Sequence, residues 1–327
     1  MGAKTTRCSR SWRWLHGQRD PHWGSTPQGY DPSCVERATS WLARLFGPQG
    51  HYPVKANGLQ HLSSDPALFV SNHSGGSTVL DCVGLAFAWY QHFGCSRPLH
   101  FLAHEILLAT SLTGPFFHKV GVLRASRHLA HQALGEWKRD VAVMPGGDRD
   151  TWRPWKDRYR VEFAGHTGYA RVALESGVPI VPVAHAGPHD TLMVLTDGRR
   201  MAKRLRLHDL FRIDVFPIHL SLPWGLCIGP WPHLPLPQML RYRFGEPVLP
   251  PEQIARGSKP SDALVREYDR LVRASLQQLL DELAEEDAPH RRRARSGRPR
   301  VVELDLEQVR QWVYGMPYAE WKANHQK

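Results

Sequence analysis

Between residues 67 and 187 the chain repeats one pattern: a short apolar run, a polar turn, then a helical period. The runs are ALFVS (67–71), LHFLA (99–103), VAVM (141–144) and VPIVPVAHAG (178–187). Apolar residues at helical spacing lie between them, including Leu129, Ala133, Leu134 and Trp137 after a capping Ser126, and GHTGYARVALESG (165–177), closed by Gly177. Near-continuous apolar runs alternating with helices predict an α/β architecture: a central, mostly parallel or mixed sheet flanked by helices. In such folds, sites gather in the loops at the strand ends. Two glycine-bearing segments fall there, SNHSGGSTVLD (71–81) and PGGDRD (145–150).

The flanks divide as a basic arm (1–33), the main domain (34–250), a C-terminal helix (251–287), and a basic linker with a terminal helix (288–327). CVERATSWLARLFG carries Val35, Ala38, Trp41, Leu42 and Leu45 on one helical face, ended by Gly47 and Pro48. It reads equally as a surface helix packed on the domain or as an interfacial helix dipping Trp41 into lipid. GRRMAKRLRLHDLFR (198–212) is a basic patch. The apolar, proline-rich stretch 213–240 is excluded from a regular helix and is expected to be packed loops and an edge strand.

A formal charge of +11 points to an anionic partner, and the twelve tryptophans suit either a lipid–water boundary or base stacking. The basic run at 290–300 lacks interleaved aromatics and any nucleic-acid fold signature, so no nucleic acid is expected. Five scattered cysteines without a Cys-x-x-Cys pair read as reduced thiols, not a zinc site. HLAH (128–131) has ligand-like spacing but no third ligand, and no metal is expected. No apolar run reaches the roughly 18 residues of a membrane-spanning helix. The expected localisation is cytoplasmic and peripheral, on a membrane surface with anionic lipids. MGAKTT matches the short Gly2 myristoylation pattern.

His73 is the chemical centre of the first segment. Imidazole, with an ordinary pKa of about 6.5, suits proton removal from a hydroxyl at neutral pH. It requires a group that holds its tautomer, and Asp81 is the nearest downstream carboxylate. Gly75 and Gly76 permit positive φ, so the loop can bring Asp81 back to the ring, and their amides are candidate oxyanion donors. In the second segment, Pro145, Gly146 and Gly147 follow a strand and expose amides that suit a phosphate or oxyanion, with Arg149 and Arg153 nearby for phosphate pairing. No Gly-x-Ser-x-Gly elbow is present.

In order and approximate spacing, NHSGGSTVLD, GVLRAS (121–126), MPGGDRD (144–150) and VPIVPV (178–183) resemble the four blocks of the glycerolipid and lysophospholipid acyltransferases, over roughly residues 55–250. The chain is most similar to the branch with Pro-Gly-Gly in the third block, which includes diacylglycerol-acyltransferase-like members. The resemblance implies an O-acyltransferase that moves a fatty acyl group from acyl-CoA or acyl carrier protein, as co-substrate, to a lipid hydroxyl, with no other cofactor. It implies His73 as the catalytic histidine with Asp81 as partner. It also implies Arg124, Pro145, Gly146, Gly147, Asp148 and Arg149 as acceptor-binding residues, and Pro182 in donor binding or packing. Two positions depart from the usual blocks. The carboxylate that usually follows the histidine after four intervening residues is here Thr78, leaving Asp81 or another carboxylate as partner. The Glu after Pro145 is Gly146, leaving Asp148, Asp150 or Glu162 to stand in. The alternatives are a thioester or lipid hydrolase on the same site, and a non-catalytic basic membrane-binding protein.

Overall fold

A computed structural model describes residues 22–211, 214–250 and 259–296. Most of the expected basic arm, the Gly2 site and the expected terminal helix lie outside the described residues. Two units are distinguished, Met1–Asp281 and Glu282–Lys327, and the first holds the sheet and the site. The second is described only as helix, up to Ser296.

The strands of the main sheet are β1 (Val54–Asn57), β2 (Leu68–Ser71), β3 (Leu99–Ala103), β4 (Leu123–Arg124), β5 (Asp140–Val143), β6 (Ile180–Ala186) and β10 (Leu240–Phe244). They form a seven-stranded sheet in the order β1-β10-β6-β2-β5-β3-β4. From β6 to β4 the strands are parallel; β10 runs antiparallel to β6, and β1 parallel to β10. Every residue of β2 and β6 is buried, as expected for central strands covered on both faces.

On one face lie α1 (Pro32–Phe46) and α2 (Leu80–Phe93). Phe69 meets Trp89 edge-on at 4.9 Å, and Val35, Phe46, Val183 and Phe244 complete this core. Asp31 caps α1 by accepting from the amides of Ser33 and Cys34, with Pro32 in the first turn. The helix buries Val35 and Phe46 and turns Trp41 outward, 57% exposed. Trp41 is therefore not on the packed stripe that the spacing predicts.

The other face carries α4 (Arg127–Gly135), capped by Ser126, and α6 (Gly168–Ser176), closed by Gly177 at φ 62°. Between them and the sheet runs a groove of about 650 Å³, lined in part by Leu68, Val143, Pro145 and His166. The short helix α3 (Gly114–Lys119) precedes β4.

Residues between β6 and β10 build a second, three-stranded antiparallel sheet: β7 (Met193–Thr196), β8 (Ile218–Ser221) and β9 (Gly225–Ile228). The stretch 213–240 thus holds two strands where loops and a single edge strand are expected. Short helices α7 (Arg199–Arg204) and α8 (Leu207–Phe211) join β7 to β8. The C-terminal helix α9 runs Asp262–Ser296, past the boundary expected at 287. The run read as a linker opens on HRRRAR (290–295), and Arg is a strong helix former. Among the described residues, no helix is long and apolar enough to cross a membrane.

Candidate active site

The site is built on the loop that leaves the carboxyl end of β2. Asn72 extends the pairing of β2 with β6 through its side chain: Nδ2 donates to the His185 carbonyl, and the His185 amide donates to Oδ1, both at 3.0 Å. The chain then turns at Gly75 (φ 95°) and Gly76 (φ 67°), conformations open to glycine. A 3₁₀ turn over Gly76–Thr78 and a left-handed Val79 (φ 46°) delay the start of α2 to Leu80.

This detour brings Asp81, in the first turn of α2, back to the imidazole. His73 Nδ1 and Asp81 Oδ2 are 2.5 Å apart. The Ser74 amide donates to Oδ2 at 2.8 Å and the Cys82 amide to Oδ1 at 2.9 Å. The Tyr242 hydroxyl donates to the Asp81 carbonyl at 2.9 Å. Asp81 is fully buried, whereas the His73 side chain keeps 16% exposure. Thr78, at the usual carboxylate position, donates to the Gly75 carbonyl and supports the turn.

Burial works against both charges of the pair, and their mutual attraction outweighs it. For Asp81, burial pushes the carboxyl up, yet the charge and hydrogen bond of His73, with His185 and the Ser74 amide, hold it at about 2. For His73, burial pulls the ring down, but the charge and hydrogen bond of Asp81, aided by Asp150, raise it above its ordinary value. The neighbouring His185 is driven down to about 3 by burial and stays neutral. Its ring nitrogens meet Ser71 Oγ (3.1 Å) and Ser74 Oγ (2.8 Å), fastening the loop to β6.

The Pro-Gly-Gly segment takes a different form from the open amide cradle expected. Residues Gly147–Thr151 form a short helix, α5, with Gly147 at φ 54°. Gly146 packs so tightly that an added Cβ would lie 2.2 Å from the Glu162 carbonyl and 2.3 Å from Asp150 Cβ. Asp150, fully buried, accepts the His73 amide at 2.5 Å and pairs with Arg153. Burial pushes Asp150 up to about 6 against the pull of Arg153. Arg153 is itself buried and donates to the His73 and Arg158 carbonyls. It braces the loop and is not presented to a phosphate. Arg149 pairs with Asp214 at 3.0 Å, and Asp148 accepts the Asp214 amide at 2.7 Å.

Arg124 lies apart. It ends β4, three strand spacings (about 14 Å) from β2. Its Nε donates to the Trp23 carbonyl. Ala125, Ser126 and Arg127 just beyond it, and Pro145, line the groove beneath α4 and α6. The Pro145 carbonyl lies 2.9 Å from His166 Nδ1. Pro182 is paired within the sheet beside Val70.

The structure thus unites His73, Asp81, Gly75 and Gly76, and adds Asn72, Asp150, His185 and Tyr242, to which the motif reading gave no part in holding the histidine. His185 left a trace in the sequence, a histidine within an otherwise apolar strand. A further histidine, His233, comes from the 213–240 stretch. It is buried, its ring nitrogens have no partner among the described residues, and Nε2 would lie 3.2 Å from a Cβ on Gly76.

His73, Asp81 and Cys82 each bring one ligand-type atom within 4.8 Å of the others. Burial and the Asp81 charge push the Cys82 thiol well above its ordinary range, so it is held as the protonated thiol, a poor ligand.

Residues 53–186 match the family model described as Acyltransferase. Residues 293–327 match a second model, described as a protein of unknown function. An uncharacterized protein of Mycobacterium tuberculosis is 29% identical over 254 residues, covering 77% of this chain and 67% of its own length. Diacylglycerol O-acyltransferase 2-like protein 6 of Bos taurus is 32% identical over 149 residues, 43% of this chain and 42% of that protein. Among solved structures, the 1-acyl-sn-glycerophosphate acyltransferase PlsC of Thermotoga maritima aligns with a TM-score of 0.41 and 16% identity, over 76% of this chain and 78% of that one. The likeness to the acyltransferase family thus rests on residues 53–186, the part of the chain that carries the site.

Proposed function

We propose that this acyltransferase moves a fatty acyl group from the thioester of acyl-CoA or acyl carrier protein to a hydroxyl of a lysophospholipid or glycerolipid at a membrane surface, with His73 as general base. The observation that carries the reading is the 2.5 Å contact between His73 Nδ1 and the buried Asp81 carboxylate. With Nδ1 engaged, Nε2 is the nitrogen left for the acceptor.

The step balances without a covalent acyl-enzyme. The acceptor hydroxyl gives its proton to Nε2 as its oxygen attacks the thioester carbonyl. Asp81 holds the tautomer and offsets the imidazolium charge, as a carboxylate does for the histidine of a catalytic triad. The amides of Gly75 and Gly76 are assigned to the oxyanion of the tetrahedral intermediate. Collapse expels the thiolate, which takes the proton back from the ring. The groove beside Pro145, which begins just past Arg124, is assigned to one of the two substrates, and the helix α5 with Asp148 and Arg149 to its rim.

The test mixes purified protein with acyl-CoA and a panel of lysophospholipids, monoacylglycerols and diacylglycerols, and resolves products by mass spectrometry. Acylated lipid that depends on both substrates is expected. Free fatty acid alone would assign the site to hydrolysis, and no turnover of any thioester, from CoA or carrier protein, would contradict the reading.

A further inference from the structure

The β7–β8–β9 sheet has its polarity reversed. A half-buried strand normally turns its apolar residues in and its polar residues out. In β8, His219 and Ser221 are buried and Leu220 is exposed; in β9, Leu226 (61% exposed) and Ile228 (58%) flank the buried Cys227. Met193 and Leu195 of β7 are exposed around the buried Val194. Trp224, in the turn between β8 and β9, is 52% exposed. Single exposed apolar residues are ordinary, but a contiguous face of them marks an interaction surface.

The segment that follows β9 touches the catalytic loop, and the inner face of the sheet lies against it. Ser77 Oγ donates to the Pro230 carbonyl at 3.3 Å, and the His233 ring sits against Gly76. Trp152, in the residue following α5, meets the His219 ring at 5.4 Å. One layer of strands therefore separates the exposed apolar face from the loop that carries His73.

Charge selects the occupant. Directly after β7, α7 exposes Arg200, Lys203 and Arg204, and Arg206 follows it; all are solvent-facing. An apolar face with tryptophan at its edge and cations beside it matches the chemistry of an anionic bilayer, where alkyl chains take the apolar groups and headgroups the charges. A second protein would need complementary acidic groups at that rim. We infer that the outer face of β7–β8–β9, with α7 beside it, is the surface that docks this chain on an anionic lipid bilayer. This deepens the membrane-surface part of the proposed function and is independent of the transfer step.

Sedimentation with sucrose-loaded vesicles of phosphatidylcholine and phosphatidylglycerol tests it without reference to catalysis. The variant Trp224→Ser/Leu226→Ser/Ile228→Ser is expected to lower the partition coefficient by about a hundredfold, from the apolar area withdrawn from lipid. Circular dichroism checks that it is folded. Trp224→Phe, which preserves packing, supplies a second reading: brominated acyl chains quench the fluorescence of the wild type, and this variant loses part of that quenching. Removing phosphatidylglycerol is expected to weaken binding at low salt. Unchanged partition of the triple variant with unchanged quenching in Trp224→Phe would overturn the assignment. So would a dimer in the absence of lipid that these substitutions dissociate, which would give the face to a second copy.

Discussion

The side chain of Asn72 and the backbone of His185 exchange two hydrogen bonds, each of 3.0 Å, so that β2 continues to pair with β6 one residue beyond its last strand residue, Ser71. Only then does the chain reach His73. The histidine therefore leaves a fully buried anchor, and its backbone direction is set before its side chain makes any contact.

Asn72→Asp removes the donor and sets a carboxylate against the His185 carbonyl. It is expected to lower stability by about 1–3 kcal/mol, the range for a buried polar group left unsatisfied. Urea unfolding measures it. Activity at a temperature where the variant is folded should also fall, because the loop loses its tether.

Asp81 and Thr78 compete for the role of histidine partner, and geometry separates them. Asp81→Asn is expected to reduce turnover by about 10²–10⁴-fold, the usual scale for loss of acid–base function. Thr78→Ala removes one hydrogen bond to Gly75, worth about 1 kcal/mol, and should retain activity within severalfold. Steady-state kinetics of both variants under one set of conditions checks the pair. Equal effects would assign the partner elsewhere.

Arg153 distinguishes a structural from a substrate-binding cation. It is buried against Asp150 and the His73 carbonyl. Arg153→Met leaves the Asp150 charge buried without its partner, and a loss of about 3–5 kcal/mol in stability is expected. A role in phosphate binding would instead raise KM with little change in unfolding free energy.

The pair also sets a pH signature. The base form of His73 is neutral, and Asp81 raises the ring above its ordinary value, so activity should rise with pH through an apparent pKa above about 6.5. Asp81 stays ionised down to about 2, so its own titration does not intrude at neutral pH. The attraction stabilises the fold fully below the unfolded imidazole value, and that contribution fades as pH rises through the folded one. In Asp81→Asn the ascending, acidic limb of kcat/KM should move to lower pH. A limb that does not move would remove Asp81 from the histidine.

The sequence and the structure agree best where the physics is local. β2, β3, β5 and β6 read directly from apolar runs because central strands are buried on both faces. The approach of Asp81 to His73 was legible because only seven residues, two of them glycines, separate them. β1 and β10 were not, because Val54–Asn57 is short and half exposed, and Leu240–Phe244 follows a proline-rich stretch. The second sheet was obscured by its reversed alternation, which imitates loop composition. Arg153 could not be read as a brace, because its partner carbonyl at His73 lies 80 residues away in the chain.

The account rests on His73 taking the acceptor proton. The most direct test is acyl transfer by purified His73→Ala, which leaves Asp81 its amide partners at Ser74 and Cys82 and should fold. Product formation from acyl-CoA and the preferred acceptor is expected to fall at least about 10²-fold, while vesicle binding is unchanged. Transfer by this variant at the wild-type rate would contradict the account.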